Sequence, residues 1–222
     1  MNQWAFVVNL GYSVFYIYTL WFDYQLNLVH PFLPIPGVYL SKLVWLTMVT
    51  FFSLTVYHSV GAVLALSTPK KNSKFMRYFD FVATSLLFPL ATSVVVLFWS
   101  LFLYDQNTLI DEKAEFLLEH EWFNHALHTT PLIGMTLDAI AWRHPRPHKK
   151  SALKAIFIFT VVYLIDIHLV WFVSGFWAYP ILGQLNNLER LAFILVCCTV
   201  IFAAFLISDA FNAMLQPKKK KN

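Results

Sequence analysis

The residues best equipped for chemistry are Asn124, His125 and His128, in the run Trp-Phe-Asn-His-Ala-Leu-His-Thr-Thr-Pro at 122–131. Positions three and four apart share a helix face, so the amide and both imidazoles fall on one polar stripe. An imidazole exchanges protons near neutral pH, and a hydroxyl within its reach becomes a nucleophile. Thr47, Thr50 and Thr55 lie together in another apolar run. Threonine in a membrane helix commonly bonds its own backbone carbonyl, so residue type alone does not choose among the three. The His-x-x-His spacing also invites a metal reading, but a full site needs three or four ligands. The other candidates at similar depth, Asp166 and His168, are two residues apart and point to different faces, so no metal is expected. Asp80 and Asp209 read as helix-end charges beside lysine and arginine. Asp138 reads as a partner of Arg143 about one turn on, and His58 as a structural hydrogen-bonding group.

Composition identifies the scaffold that carries these groups. The 222 residues are 59% hydrophobic, 18% aromatic and only 13% charged, whereas a soluble domain has about 25% charged residues. Disorder is excluded by this hydrophobicity. A disulfide-stapled module is excluded because the only cysteines are the neighbours Cys197 and Cys198. Six apolar runs, at about 4–22, 43–66, 81–104, 122–142, 153–174 and 191–210, have the length of membrane helices. They predict an all-α polytopic membrane protein, a six-helix bundle forming a single membrane domain over 1–222. The strict alternation of barrel strands is absent. The first run lacks a basic start and a cleavage site and reads as a retained span rather than a signal peptide.

Thirteen of the sixteen Lys and Arg fall on one side of this layout. The basic side is cytosolic, which predicts cytosolic termini and an outward or lumenal acidic loop at 105–121. The net charge of +4 then belongs to topology and not to nucleic-acid binding. Entering from the outer side, His128 lies roughly 9 Å deep and Thr47 roughly 6 Å deep at about 1.5 Å per residue.

Several motifs then carry a family likeness. Leu46-Thr47, Phe88-Pro89, Phe98-Trp99, Tyr104-Asp105, the Asn-His-x-x-His-Thr-Thr block at 124–130, Tyr163 and Gly175-Phe176-Trp177-Ala178-Tyr179-Pro180 occur in order. The chain resembles the androgen-induced protein and androgen-dependent TFPI-regulating protein family, six-span membrane enzymes that hydrolyse fatty acid esters of hydroxy fatty acids. It departs from the family pattern at Gln106-Asn107 with the acidic loop that follows, and at Trp171-Phe172. Both departures lie beside the outer mouth and bear on substrate preference.

The resemblance implies a threonine-type ester hydrolase with Thr47 as nucleophile and His128 as general base. No cofactor is implied. Asn124 and His125 are candidates for an oxyanion donor or for orienting His128. The expected partners are a lipid ester and the bilayer. Two other classes remain open: a small channel or transporter using the intramembrane His and Asp residues, and a non-catalytic membrane regulator. The tail, Pro217 followed by Lys218–Lys221 and Asn222, suits an anionic cytosolic leaflet. Lys219 and Lys220 also resemble a dilysine retrieval signal, which predicts the endoplasmic reticulum.

Overall fold

In α1 (Gln3–Val29) the buried positions are Ala5, Asn9, Ser13, Tyr16, Thr19 and Asp23, a stripe of small and polar residues at helical spacing. The opposite face presents Trp4, Val7, Val14, Ile17, Trp21 and Leu28. In water the order would be reversed, with the apolar stripe inward. A helix with small and polar residues inside and grease outside is built for lipid.

The computed structural model describes residues 2–67, 70 and 73–216, and these contain helices and no strands. Antiparallel to α1 runs α2 (Leu46–Ser67), followed by α3 (Lys74–Val82), a π-helical turn at Ala83–Leu87, and α4 (Phe88–Tyr104). The π turn has a local cause. Pro89 has no N–H for the carbonyl of Ser85, so the ladder is re-spaced there and the run continues without a stop. Next come α5 (Glu121–His128), α6 (Thr130–Trp142), α7 (Lys149–Ser174), a short α8 (Pro180–Gln184) and α9 (Asn187–Leu215). A capping box formed by Asn186 and Glu189 starts α9.

Five of these segments are long and apolar enough to cross a membrane: Gln3–Val29, Leu46–Ser67, Lys74–Tyr104, Lys149–Ser174 and Asn187–Leu215. The protein is therefore a helical membrane protein with five such helices among the described residues. The continuous helix expected over 122–142 is instead two pieces, α5 and α6, broken at Thr129. Pro131 causes the break, because its ring clashes with the carbonyl of Leu127 and cannot donate to it. Beside the break, Thr130 Oγ1 donates to the Ala126 carbonyl at 2.7 Å, and Trp99 Nε1 donates to the His128 carbonyl at 3.1 Å. The lysine tail and its dilysine-like pair lie outside the described residues.

Two features organise the interior. Tyr16, Phe51, Leu54, Phe79, Phe123 and Met135 form the main core, joining α1, α2, α3, α5 and α6. Next to it lies a buried polar network. Asp138 accepts from Asn9 Nδ2 at 2.9 Å, Tyr57 Oη at 2.8 Å and His144 Nε2 at 2.9 Å. His144 Nδ1 donates to Asp80 at 2.7 Å, and His58 Nδ1 donates to Asn9 Oδ1 at 3.0 Å. Burial alone would lower the pKa of His144, but hydrogen bonds and charge from Asp138 and Asp80 push it up to about 9. A Cβ at Gly61 would overlap Asn9 Oδ1, so only glycine admits this packing. The expected Asp138–Arg143 pair does not form. Asp138 faces the interior between α1 and α2, and His144 closes over it from the loop. Asp80 belongs to the same network, and Asp209 pairs with Arg146, its Oδ1 taking the Nε hydrogen at 2.9 Å.

Candidate active site

Thr47 is the second residue of α2, and its position depends on how that helix starts. A 3₁₀ stretch at Tyr39–Val44 leads into it. Leu46 N–H donates to Tyr179 Oη at 3.1 Å, Tyr163 Oη donates to the Val44 carbonyl at 2.9 Å, and Trp45 Nε1 donates to the Ala178 carbonyl at 2.6 Å. The segment after α7, with Tyr163 from α7 itself, therefore staples the start of α2. The first i→i−4 bond of the helix is donated by Val49 to Trp45 at 3.1 Å. The N–H groups of Thr47 and Met48 precede that bond and take no partner among the described residues, as the first turn of any helix requires.

His128 is the last residue of α5, immediately before the proline-induced break. Its ring lies flat on Phe98, with centroids 3.4 Å apart and planes within 4°. Its Nδ1 is 2.7 Å from Asn124 Oδ1 and 3.0 Å from the Asn124 carbonyl. Both partners are acceptors, so Nδ1 carries the proton and Nε2 keeps a free lone pair. Asn124 thus sets both the plane and the tautomer of His128.

Thr47, His128 and Asn124 line one cavity of about 320 Å³. Its wall is mostly apolar, including Trp45, Phe98, Phe123, Leu127 and Phe176, and polar groups gather around Asp23, Asn27, His30 and Lys42. No hydrogen bond joins Thr47 to His128. The other two threonines are elsewhere: Thr55 donates to the Phe51 carbonyl at 2.8 Å, and Thr50 is fully buried with no partner for its hydroxyl. His125 does not border the cavity. It is exposed, with Nδ1 3.0 Å from Thr129 Oγ1. Among the described residues no group of three or more His, Cys, Asp or Glu is placed to hold a metal ion.

Sequence reasoning missed one charged feature of this cavity. Lys42 Nζ sits 2.7 and 2.8 Å from the two carboxylate oxygens of Asp23, and Tyr39 Oη donates to the same carboxylate at 2.6 Å. Neither residue is among the candidates singled out from the sequence. A signal was available, because they are the lone acid and the lone Lys or Arg of the first 69 residues. Unpaired charges flanking apolar helices are costly, and the cheapest remedy is each other.

Comparison with known proteins places this chain in a family. The family described as FAR-17a/AIG1-like protein matches over residues 4–213. The androgen-dependent TFPI-regulating protein of Homo sapiens is 29% identical over 80% of this chain and 80% of its own. Its Rattus norvegicus counterpart is 30% identical over 80% of this chain and 81% of its own. The androgen-induced gene 1 protein of Homo sapiens is 25% identical over 77% of this chain and 73% of its own. No solved structure matches.

Proposed function

Because this chain belongs to the FAR-17a/AIG1-like family, we propose that it is an intramembrane hydrolase of lipid esters, in particular fatty acid esters of hydroxy fatty acids. Thr47 is the nucleophile and His128 the general base. The observation that carries this reading is the shared cavity: a threonine hydroxyl and an imidazole with a free Nε2 border one largely apolar space.

In the first half-reaction the Thr47 hydroxyl proton passes to His128 Nε2 as Oγ1 bonds to the ester carbonyl carbon. The developing oxyanion meets the free N–H groups of Thr47 and Met48 at the positive end of α2. Collapse breaks the bond to the alcohol oxygen, which takes the proton from Nε2 and leaves. In the second half, water gives its proton to Nε2 and adds to the acyl carbon. The Thr47–acyl bond then breaks, Oγ1 recovers the proton, and the fatty acid departs. Asn124 holds Nδ1–H throughout, the part an orienting acceptor plays in hydrolytic triads. His125 has no part in these steps. Hydrogen bonds between nucleophile and base often tighten only as the reacting complex forms.

The same reading makes α5 and α6 one crossing, the fourth of six, interrupted at Thr129–Pro131 beside the site. Broken backbone at membrane depth is tolerated where it borders a cavity and not lipid. The thirteen clustered basic residues support cytosolic termini in this reading, and the lysine run supports an endoplasmic-reticulum location. Replacing Lys219 and Lys220 by serine is expected to release it from reticular staining, and unchanged staining removes that address.

The decisive experiment treats membranes bearing wild type, Thr47→Ala and His128→Ala with a serine-hydrolase-type activity probe and a fatty acid ester of a hydroxy fatty acid. Both variants are expected to lose labelling and cleavage. Wild-type labelling of Thr47→Ala would mean that the nucleophile lies elsewhere.

A further inference from the structure

Thr47, Phe98, Leu109 and Tyr179 line two cavities, the one of about 320 Å³ shared with His128 and a second of about 90 Å³. Thr47 therefore sits at a waist with a chamber on either side. The chambers differ in chemistry. His128, Asn124, Asp23 and Lys42 border only the larger one. The smaller, between α4, α7 and α9, is walled mainly by carbon, with Val94, Leu97, Leu101 and Phe193 along it and Cys197 and Ile201 from α9. Tyr163 also borders it, but its hydroxyl is spent on the Val44 carbonyl.

We propose that the smaller chamber is the acyl-chain site and that the larger one receives the alcohol part of the ester and the hydrolytic water. This rests on the hydrolase reading above and deepens it to substrate selection. An ester has two arms that diverge at the carbonyl carbon, and only one remains on Thr47 after the first half-reaction. The departing oxygen must take its proton from His128, so the alcohol arm lies on the His128 side. Water must later occupy that place and give its proton to the same Nε2. The acyl chain must therefore leave the His128 side clear while it is bonded to Oγ1, and the small apolar chamber is the alternative at the waist. Its walls bury a hydrocarbon chain without stranding a polar group. Having under a third of the larger volume, it discriminates by acyl length and branching, whereas the alcohol side tolerates bulk and polar groups.

The test uses Cys197→Phe, which fills the smaller chamber, and Leu97→Ala, which enlarges it. Wild type, both variants and Thr47→Ala are assayed in membranes on two ester series. One is 4-nitrophenyl esters from acetate to palmitate, and the other is butyrates of straight-chain alcohols from ethanol to hexadecanol. Cys197→Phe is expected to lower kcat/KM for palmitate relative to acetate by about tenfold or more, the scale on which apolar pockets sort chain length. Leu97→Ala shifts the ratio the other way, and neither variant alters the alcohol-length profile. The two opposite shifts separate chamber filling from misfolding. Shifts confined to the alcohol series, or wild-type acyl profiles in both variants beside an inactive Thr47→Ala, overturn the assignment while leaving the hydrolase reading intact. Undiminished cleavage by Thr47→Ala sinks the hydrolase reading and the assignment with it.

Discussion

Around Asp138 a carboxylate, two imidazoles, a phenol and an amide are buried together, and their polar atoms are paired except for His58 Nε2. Around Thr47 the protein does the reverse. It satisfies Leu46 N–H, Trp45 Nε1 and His128 Nδ1, yet Thr47 Oγ1 and the N–H groups of Thr47 and Met48, two residues that line the cavity, take no partner among the described residues. Both regions use the same residue types in the same apolar bundle. A closed network rigidifies the fold because an unpaired buried polar group is costly. An open one retains that cost as capacity to bind, and its neighbours must be held the more firmly.

That contrast is most severely tested by removing one group from each region. Thr47→Ala is expected to cut ester cleavage by about 10⁴-fold, the scale for a lost nucleophile, with melting temperature unchanged. Asp138→Ala is expected to cost about 1–3 kcal/mol, because Asn9 Nδ2, Tyr57 Oη and His144 Nε2 lose their buried acceptor while Asp80 still faces His144 Nδ1. A chemical-unfolding series in detergent reads it. If Asp138→Ala proves neutral to stability and Thr47→Ala unfolds the protein, the division between the two regions is wrong.

Smaller changes sharpen the same division. Asn124→Ala removes the shorter of the two acceptors at His128 Nδ1 and keeps the backbone carbonyl, and a roughly 10-fold loss of kcat at unchanged melting temperature is expected, the low end for histidine-orienting partners. Gly61→Ala drives a methyl into Asn9, and about 1–3 kcal/mol of destabilisation follows from overpacking. The mildest probe is pH. The folded-state pKa of His144 is raised from 6.5 to about 9, so its contribution is fully present below about pH 6.5 and disappears as pH rises through about 9. A melting temperature that falls between those limits in wild type and stays level in His144→Gln agrees. Identical curves for the two proteins remove His144 from the account.

Much of the fold was legible in the chain. The runs at 43–66, 153–174 and 191–210 correspond to Leu46–Ser67, Lys149–Ser174 and Asn187–Leu215, since hydropathy over one helix length is a local property. The run at 122–142 keeps its bounds but is interrupted at Thr129, as Pro131 signals, because apolar composition says nothing of backbone continuity. For the site, helical spacing put Asn124 on the stripe of His128, and their hydrogen bond follows. The same spacing put His125 there too, yet it turns outward to Thr129. Nothing local distinguished Thr47 from Thr50 and Thr55. That depended on Tyr163 and Tyr179, more than a hundred residues away, which fasten the start of α2 and leave Thr47 at the cavity.

Composition and periodicity thus determined by themselves that this is a helical membrane protein and which segments are helices, because burying backbone polar groups in lipid leaves few alternatives. Only the tertiary structure decided the partners. Asp138 ignores Arg143, five residues away, for Asn9 and Tyr57 across the bundle. Lys42 finds Asp23, and Thr47 comes to share a space with His128. Local spacing specifies which residues share a face. Which faces meet is set by packing several helices at once, and that packing leaves one end closed and the other open.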